Sequence, residues 1–214
     1  MTLYLFTFLA LLVLAITEAL QGNKKMVLIG GGFLAVLAGF RYQTGYDFVS
    51  YKSFFDDMTG IQDVFNGNLD AEAGYLFLNY LFLNLGLNYY TFLLFFAFLT
   101  MFLLVKYLYR NVPYPSLMLF YYFSRFFLAR DMGQIRGSLA SIILLYSVKY
   151  IKSKEFAKFM AVVLIASLFH VTALIFILGY IYENHLYNGK WSQVGILCAL
   201  AGVAGCVVAQ VQAA

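Results

Sequence analysis

The chain has 214 residues, of which 63% are hydrophobic and only 11% are charged, and its formal net charge is +4. About a quarter of the residues of a soluble domain are charged, so this composition excludes an ordinary soluble domain. Apolar runs of roughly 18 residues recur along the chain, and a helix of that length crosses a bilayer. We therefore predict an all-α, polytopic integral membrane protein, with residues 1–214 forming a single transmembrane domain.

Seven stretches are predicted to cross the membrane. The first, MTLYLFTFLALLVLAI, lacks the basic start of a cleavable signal peptide, so we interpret it as a retained span. The stretch 73–87 is too short for a full span and carries Asn79 and Asn84, which predicts a re-entrant or interfacial helix. The predicted spans are 3–20, 26–40, 89–108, 114–129, 136–151, 159–181 and 192–209.

Basic residues orient the predicted spans. Lysines and arginines cluster at 24–25, 106–110 and 149–158, and the positive-inside rule assigns such loops to the cytoplasm. The segment 41–72 holds two basic and six acidic residues, so it is the natural translocated loop. This orientation places the N-terminus outside and the C-terminus inside. The regions predicted on the outer face are the loop region 41–88, the 130–136 turn and the 182–191 loop.

Within the outer loop, large apolar residues recur at helical spacing from Phe48 to Phe65. Serines and aspartates fill the positions between them. This pattern predicts an amphipathic helix that lies flat in the membrane interface. Glycines in MTGIQ and FNGNLD are expected to break and end it.

The common catalytic signatures are absent from the sequence. It contains no G-x-S-x-G turn, no H-E-x-x-H motif and no phosphate-binding glycine loop. The two histidines, His170 and His185, are too few for a zinc site, and we predict neither a metal nor a cofactor. The glycines of IGGGF at 29–33 are expected to permit close helix packing. Cys198 and Cys206 share the last apolar stretch, where small packing residues are expected rather than a disulfide.

Charged residues in an apolar context are the strongest functional signal. The segment FSRFFLARDMGQIRGSLAS at 123–141 brings Arg130, Asp131, Gln134 and Arg136 into one turn between two predicted spans. Ionisable groups at membrane depth indicate function, and guanidinium groups bind phosphate oxygens through two parallel hydrogen bonds. The cluster therefore fits a pyrophosphate or another polyanionic headgroup.

Three further ionisable residues are placed close to this predicted face or inside a span. Arg41 follows the second span, Asp47 comes six residues later, and His170 lies about halfway along 159–181. Simpler interpretations stay open for each kind of residue. Arginines at span ends often reach lipid headgroups, Arg130 and the aspartate beside it may satisfy each other, and a lone intramembrane histidine is often a hydrogen-bonded packing residue.

Four short motifs occur in the order and spacing of the EpsG family: RYQTGYDFVSY, EAGY, RDMGQIRGSLA and FHVTAL. Over about residues 1–185 the chain resembles these bacterial exopolysaccharide membrane proteins, which are of the Wzy-polymerase type. The resemblance implies a polymerase that joins oligosaccharide repeats carried on undecaprenyl pyrophosphate, in the bacterial inner membrane with its active face outward. The positions that match the motifs are Arg41, Gly45, Asp47, Tyr51, Glu72, Gly74, Tyr75, Arg130, Asp131, Gln134, Arg136 and His170.

The resemblance implies roles for these residues. Arginines would hold the pyrophosphate of the donor lipid and stabilise the leaving group. A carboxylate would take the proton from the attacking sugar hydroxyl, with Asp47 as the first choice. The predicted catalytic residues are Asp47, Glu72, Asp131 and His170, and the predicted substrate-binding residues are Arg41, Tyr51, Tyr75, Arg130, Gln134 and Arg136.

Partners and competing functions follow from the same reasoning. The expected partners are an undecaprenyl-pyrophosphate-linked oligosaccharide, the lipid bilayer and other polysaccharide export or assembly proteins, and no nucleic acid is expected. A non-enzymatic transporter or flippase component for lipid-linked glycans would use the same arginines, although it would favour an internal repeat, which the sequence lacks. Family members usually run longer than this chain, so an inactive, truncated remnant is a third expectation.

Overall fold

A computed structural model describes residues 2–186 of the chain, with side-chain detail up to Asn184. The prediction of a span at 192–209, the two cysteines and the orientation of the C-terminus lie outside the described residues. Short 3-10 helices occupy Ile61–Val64 and Val171–Phe176, and π turns occupy Phe123–Phe127 and Tyr182–Leu186. The α-helices are α1 (Thr2–Gln21), α2 (Met26–Gly39), α3 (Phe48–Asp56), α4 (Ala73–Asn84), α5 (Tyr89–Asn111), α6 (Pro115–Tyr122), α7 (Ile135–Leu145), α8 (Val148–Lys152), α9 (Phe156–Ser167) and α10 (Ile177–Ile181).

Two of the described helices are long and apolar enough to cross a membrane. These are α1 and α5, whose mean hydropathies are 2.2 and 2.1. Helices α2 and α9 and the segment 171–184 are apolar but shorter. The prediction of an all-α fold is confirmed over the described residues, and α1 and α5 have the length and apolarity that a membrane span requires. Seven crossings remain a prediction.

Helix α5 is the centre of the packing. It runs alongside α2, and the two helices touch where glycines remove side-chain bulk. A Cβ atom added to Gly31 would lie 2.2 Å from Val105, and one added to Gly39 would lie 2.5 Å from Leu94. No larger residue fits at either position without movement of its neighbour. The predicted role of the glycines at 29–33 in close helix packing is therefore confirmed at Gly31.

The segment 40–72 folds over the end of the bundle where α2 ends and α5 begins, and we call this the loop end. Helix α3 packs its aromatic side against protein, with the ring of Phe55 lying 5.8 Å from that of Phe92. Phe48 and Tyr51 on the same helix are buried as well. The amphipathic pattern predicted that the rings of α3 would face the membrane interface. In the structure its buried rings pack on α4 and α5 instead.

The predicted helix from Phe48 to Phe65 is shorter in the structure. It ends at Asp56, and a separate 3-10 turn follows. The carboxylate of Asp63 accepts hydrogen bonds from the backbone N–H groups of Thr59 and Gly60. These bonds hold the backbone in a tight turn, and Phe65 beyond it is exposed.

The stretch 159–181 is not one continuous helix. It breaks between α9 and the following 3-10 helix, and His170 has an extended backbone at the break (φ −158°). Backbone groups released there bond to another part of the chain instead: the N–H of Val171 donates to Glu72, and the carbonyl of Leu168 accepts from Gly74. Hydropathy alone did not indicate this interruption, because the compensating partners come from about 95 residues earlier in the sequence.

Candidate functional site

Glu72 is the centre of a cluster drawn from three distant segments. Its Oε2 accepts a hydrogen bond from Nη1 of Arg136 at 2.5 Å, and its Oε1 lies 3.0 Å from Nδ1 of His170. The backbone N–H of Val171 also donates to Oε1, at 3.1 Å. Burial favours the neutral acid, but the hydrogen bond with His170 and the charge of Arg136 outweigh it and lower the pKa of Glu72 to about 2. The carboxylate is therefore ionised, with both oxygens held.

The glycine of the EAGY motif allows this contact. The N–H of Gly74 donates to the carbonyl of Leu168 at 2.8 Å. A Cβ atom at Gly74 would lie 2.6 Å from that carbonyl oxygen, far closer than packing permits. Glycine thus brings the start of α4 directly against the break after α9, which is what places Glu72 beside His170.

Arg136 is held by aromatic rings as well as by Glu72. Its guanidinium carbon lies 5.4 Å from the ring centre of Tyr51, 5.6 Å from Phe54 and 5.8 Å from Tyr75. Tyr75 is fully buried, so this surrounding is rigid. Rings packed around a cation in this way stabilise its charge and fix the plane of the guanidinium group.

His170 presents one ring nitrogen to Glu72 and keeps the other free. In the neutral imidazole, Nδ1 would carry the hydrogen and donate to the ionised Glu72, and the lone pair would lie on Nε2. No hydrogen-bond partner for Nε2 lies within the described residues. The ring rests on Gly137, where a Cβ atom would be 3.4 Å from Cδ2, and the side chain is 31% exposed. A histidine oriented by a carboxylate with an accessible second nitrogen is equipped to take a proton.

A second, buried cluster joins Arg41 to Asp131. Nη1 of Arg41 donates to the backbone carbonyl of Asp131. The Asp131 carboxylate accepts from the hydroxyl of Tyr122 at 2.6 Å and from that of Ser138 at 2.8 Å. Arg41 and Asp131 are each only 5% exposed. Burial raises the pKa of Asp131 to about 6, even though both hydroxyls and the nearby guanidinium favour the ionised form.

The Arg41 guanidinium faces the interior rather than the surface. A cavity of about 10 Å³ lies beside it and is also lined by Thr100, Asp131 and Ser138. Nε and Nη2 of Arg41 are buried and make no hydrogen bond of good geometry within the described residues, although the hydroxyl of Tyr89 lies beside the guanidinium. A cavity of this size holds about one water molecule, which would satisfy them. Arg41 is therefore built into the fold.

Gly45 brings the first motif against the third. Its φ is +98°, and a Cβ atom there would lie 1.8 Å from the carbonyl oxygen of Met132. Next to it, the hydroxyl of Tyr46 donates to the carbonyl of Ala129 at 2.9 Å. The loop after α2 is thus fastened to the turn before α7, and only glycine fits at the point of contact.

These motifs and their geometry agree with a known family. The family model of the EpsG family matches residues 24–211, which include every predicted site residue. The chain belongs to the EpsG family. Comparisons with curated proteins and with solved structures gave no match. Membership of the EpsG family and the two long apolar helices together indicate a membrane protein related to exopolysaccharide biosynthesis.

In this EpsG family protein the three predicted substrate-binding arginines do not share one partner. Arg41 is buried and Arg136 is paired with a carboxylate, whereas Arg130 is half-buried and donates to the hydroxyl of Ser141 at 2.9 Å. The suggested pairing of Arg130 with Asp131 is wrong, because hydroxyl groups hold that carboxylate. Among the described residues, Ser141 is the one side-chain hydrogen-bond partner of Arg130.

Two other predicted residues of the EpsG family site lie at its margin. Asp47, at the start of α3, is half-buried, and its carboxylate accepts a long hydrogen bond of 3.4 Å from Tyr51. Tyr51 is also one of the rings around Arg136, so Asp47 borders the Glu72 cluster. Gln134 precedes α7, and its side chain has no hydrogen-bond partner among the described residues.

Sequence reasoning missed several residues that complete these clusters. Phe54 stacks beside Arg136, and Tyr122 holds Asp131, but neither lies in an EpsG family motif. Tyr122 is one of 18 tyrosines, and nothing in its sequence context distinguishes it. Ser138 lies within RGSLA, so the motif offered a signal for it.

Proposed function

We propose that this protein polymerises lipid-linked oligosaccharide repeats in exopolysaccharide biosynthesis. It would transfer glycan from undecaprenyl pyrophosphate to the hydroxyl of an acceptor sugar. The observation that supports this most is Glu72, held between Arg136 and His170. The contact brings an ionised carboxylate, a fixed cation and a histidine with a free nitrogen to one place. Glycosyl transfer needs a proton acceptor and positive charge near the leaving group, and this cluster supplies both.

In the proposed reaction the acceptor hydroxyl oxygen attacks the anomeric carbon of the donor glycan. A new carbon–oxygen bond forms, the bond from that carbon to the pyrophosphate breaks, and the lipid pyrophosphate leaves with the electron pair. The hydroxyl proton moves to Nε2 of His170, while Glu72 orients the ring and stabilises the imidazolium. We favour His170 over Asp47 as the base because, within the described residues, Asp47 is held only by a long hydrogen bond from Tyr51.

Positive charge for the pyrophosphate would come from Arg130 and Arg136. Arg130 is half-buried and makes one side-chain hydrogen bond within the described residues, to Ser141, and Arg136 pairs with Glu72, the carboxylate that orients His170. Arg41 is less suited to bind a ligand because its guanidinium is enclosed. We assign it instead to holding the turn before α7 in place through the carbonyl of Asp131.

The proposed topology places the loop end on the outer face of the bacterial inner membrane, with seven spans and the N-terminus outside. Helix α4 has 12 residues and is about 18 Å long, short of the roughly 30 Å hydrocarbon core. It would therefore enter and leave on the outer side. Cysteines replacing Ala71 and Asn88 should both react with an impermeant thiol reagent added from outside. Protection of position 88 until the cells are permeabilised would mean that α4 crosses.

A complementation experiment tests the activity. In a polymerase-deficient host, the wild-type chain should restore long glycan ladders. Arg136→Lys and Arg130→Lys keep the charge but lose the planar two-pronged donor, so each should reduce polymer formation about a hundredfold. His170→Gln should do the same at equal protein level. Exposed Arg125 offers the matched control, and Arg125→Lys should behave as wild type.

The products also separate a polymerase from a flippase component. Loss of a polymerase leaves single repeats displayed at the cell surface, whereas loss of a flippase leaves none there. If His170→Gln and Arg136→Lys both give wild-type ladders, the proposed site is wrong. If the variants remove all surface glycan, the transporter alternative replaces the polymerase.

A further inference from the structure

An open groove of about 330 Å³ lies at the loop end, between the end of α2 and the start of α5. Gly39 and Leu94, which are in tight contact with each other, are among its lining residues. Tyr42, Asn88 and Tyr90 are among its lining residues, and the rings of Tyr42 and Tyr90 lie against each other. A volume of this size is within the range of small-molecule sites in proteins. Glu72, Arg136 and His170 do not line it, so the groove is separate from the proposed transfer site.

The walls of the groove offer aromatic faces and a free amide. The rings of Tyr42 and Tyr90 are stacked, 6.1 Å apart and tilted by 24°, and their residues are 65% and 41% exposed. Asn88 uses its Oδ1 to accept from the backbone and the hydroxyl of Thr91. Its Nδ2 carries two donors and has no hydrogen-bond partner among the described residues. Aromatic faces can pack on the apolar C–H face of a sugar ring, and neighbouring amide donors can bond to its hydroxyl groups.

Charge distinguishes a sugar from a phosphate as the ligand. Arg41 is the one ionisable cation among the described residues that line the groove, and its guanidinium is turned into the fold. It donates to the carbonyl of Asp131, and its other N–H groups are buried. None of the described lining residues presents a cation to the groove. Lys52, which interacts electrostatically with Tyr90, is paired with Asp56, so the groove offers an anionic headgroup little unpaired positive charge.

We propose that this groove binds a neutral saccharide segment of the glycan. The inference rests on the proposed function for the identity of the ligand, since a polymerase of sugar repeats must hold a glycan beside the reacting ends. Exposed tyrosines also occur in the aromatic belts of membrane proteins, where the rings contact lipid headgroups and no soluble sugar binds. A direct binding measurement separates these two roles.

The test uses the full-length protein in nanodiscs and neutral oligosaccharides obtained by partial acid hydrolysis of the exopolysaccharide of the source bacterium. Saturation-transfer NMR should detect saturable binding. Tyr42→Ala and Tyr90→Ala should each weaken it roughly tenfold, because each removes one aromatic face. Tyr42→Phe keeps the face and should bind as wild type, as should Tyr114→Ala, which removes an exposed tyrosine outside the groove. Thermal unfolding of each variant verifies that it is folded.

Three results would overturn the inference: no saturable binding to the wild type, equal binding by both alanine variants, or competitive displacement of the sugar by inorganic pyrophosphate. His170→Gln keeps the groove and should bind oligosaccharide normally. Normal binding by a wild-type chain that forms no polymer would contradict the proposed function and leave the saccharide site intact. Polymer formation by a wild-type chain that does not bind oligosaccharide at the groove would contradict the saccharide site and leave the proposed function intact.

Discussion

Replacement of Glu72 by glutamine tests the core of the candidate site through stability rather than activity. The side chain is largely buried, and its pKa falls from an ordinary 4.5 to about 2 in the folded protein. A difference of that size corresponds to about 3 kcal/mol of folding free energy at neutral pH. Glutamine keeps the shape and one acceptor oxygen but loses the charge, so Glu72→Gln should destabilise the protein by up to about 3 kcal/mol. For a chain of this length that lowers the melting temperature by about 6–12 °C.

Thermal unfolding in detergent, followed by circular dichroism, measures this effect across pH. Because the folded pKa of Glu72 is below its unfolded value, the stabilisation is present above about pH 4.5 and is lost as the pH falls toward 2. The melting temperatures of wild type and Glu72→Gln should therefore converge in that range. Asp56→Asn is the control, because it removes an exposed ion pair with Lys52 and should change stability by less than about 1 kcal/mol. If Glu72→Gln melts like this control at pH 7, the contacts assigned to Glu72 do not hold.

Four further predictions follow from the same contacts. Asp131→Asn should show the opposite pH trend, because burial raises the folded pKa of Asp131 to about 6. The wild type should therefore gain stability relative to the variant as the pH falls from about 6 to 4. A stability difference that does not change with pH would contradict this. Gly74→Ala should abolish polymer formation, because the added Cβ separates α4 from the break after α9; normal ladders would show that this contact is dispensable. Asp47→Asn should keep most of the activity in the ladder assay. Loss of activity in this variant would favour Asp47 over His170 as the base. A periplasm-active reporter fused after Asp63 should be active and one fused after Lys154 silent, whereas the reverse pattern would place the site on the cytoplasmic side.

Composition was enough to predict the all-α fold class, and hydropathy located α1, α2, α4 and α5 to within a few residues. The predicted spans 114–129 and 136–151 begin where α6 and α7 begin, but these helices end at Tyr122 and Leu145. Helices α1 and α5 match their predicted spans closely. What hydropathy did not indicate is the interruption at His170. An unbroken apolar run predicts a continuous helix, because its own backbone groups must be satisfied in an apolar environment. Here Glu72 and Gly74 satisfy them from another segment, and no local pattern around 168–171 reports that.

The site was predicted as a set of residues but not as an arrangement. The motifs named Glu72, Arg136 and His170, yet nothing in the sequence joined residues separated by 64 and 98 positions. Charge alone suggested one arginine patch, whereas the fold buries Arg41 and gives Arg130 a separate partner. Residue type shows which groups can bind phosphate, but burial decides which of them a ligand reaches.

Reconstitution measures the central claim most directly. The purified chain, placed in proteoliposomes with undecaprenyl-pyrophosphate-linked repeats, should form polymer and release one undecaprenyl pyrophosphate for each glycosidic bond made. His170→Gln, at equal amount and with a wild-type melting temperature, should form polymer about a hundredfold more slowly. Polymer formation at the wild-type rate by this variant, or no release of the lipid pyrophosphate by the wild type, would contradict a transfer site built on Glu72, Arg136 and His170.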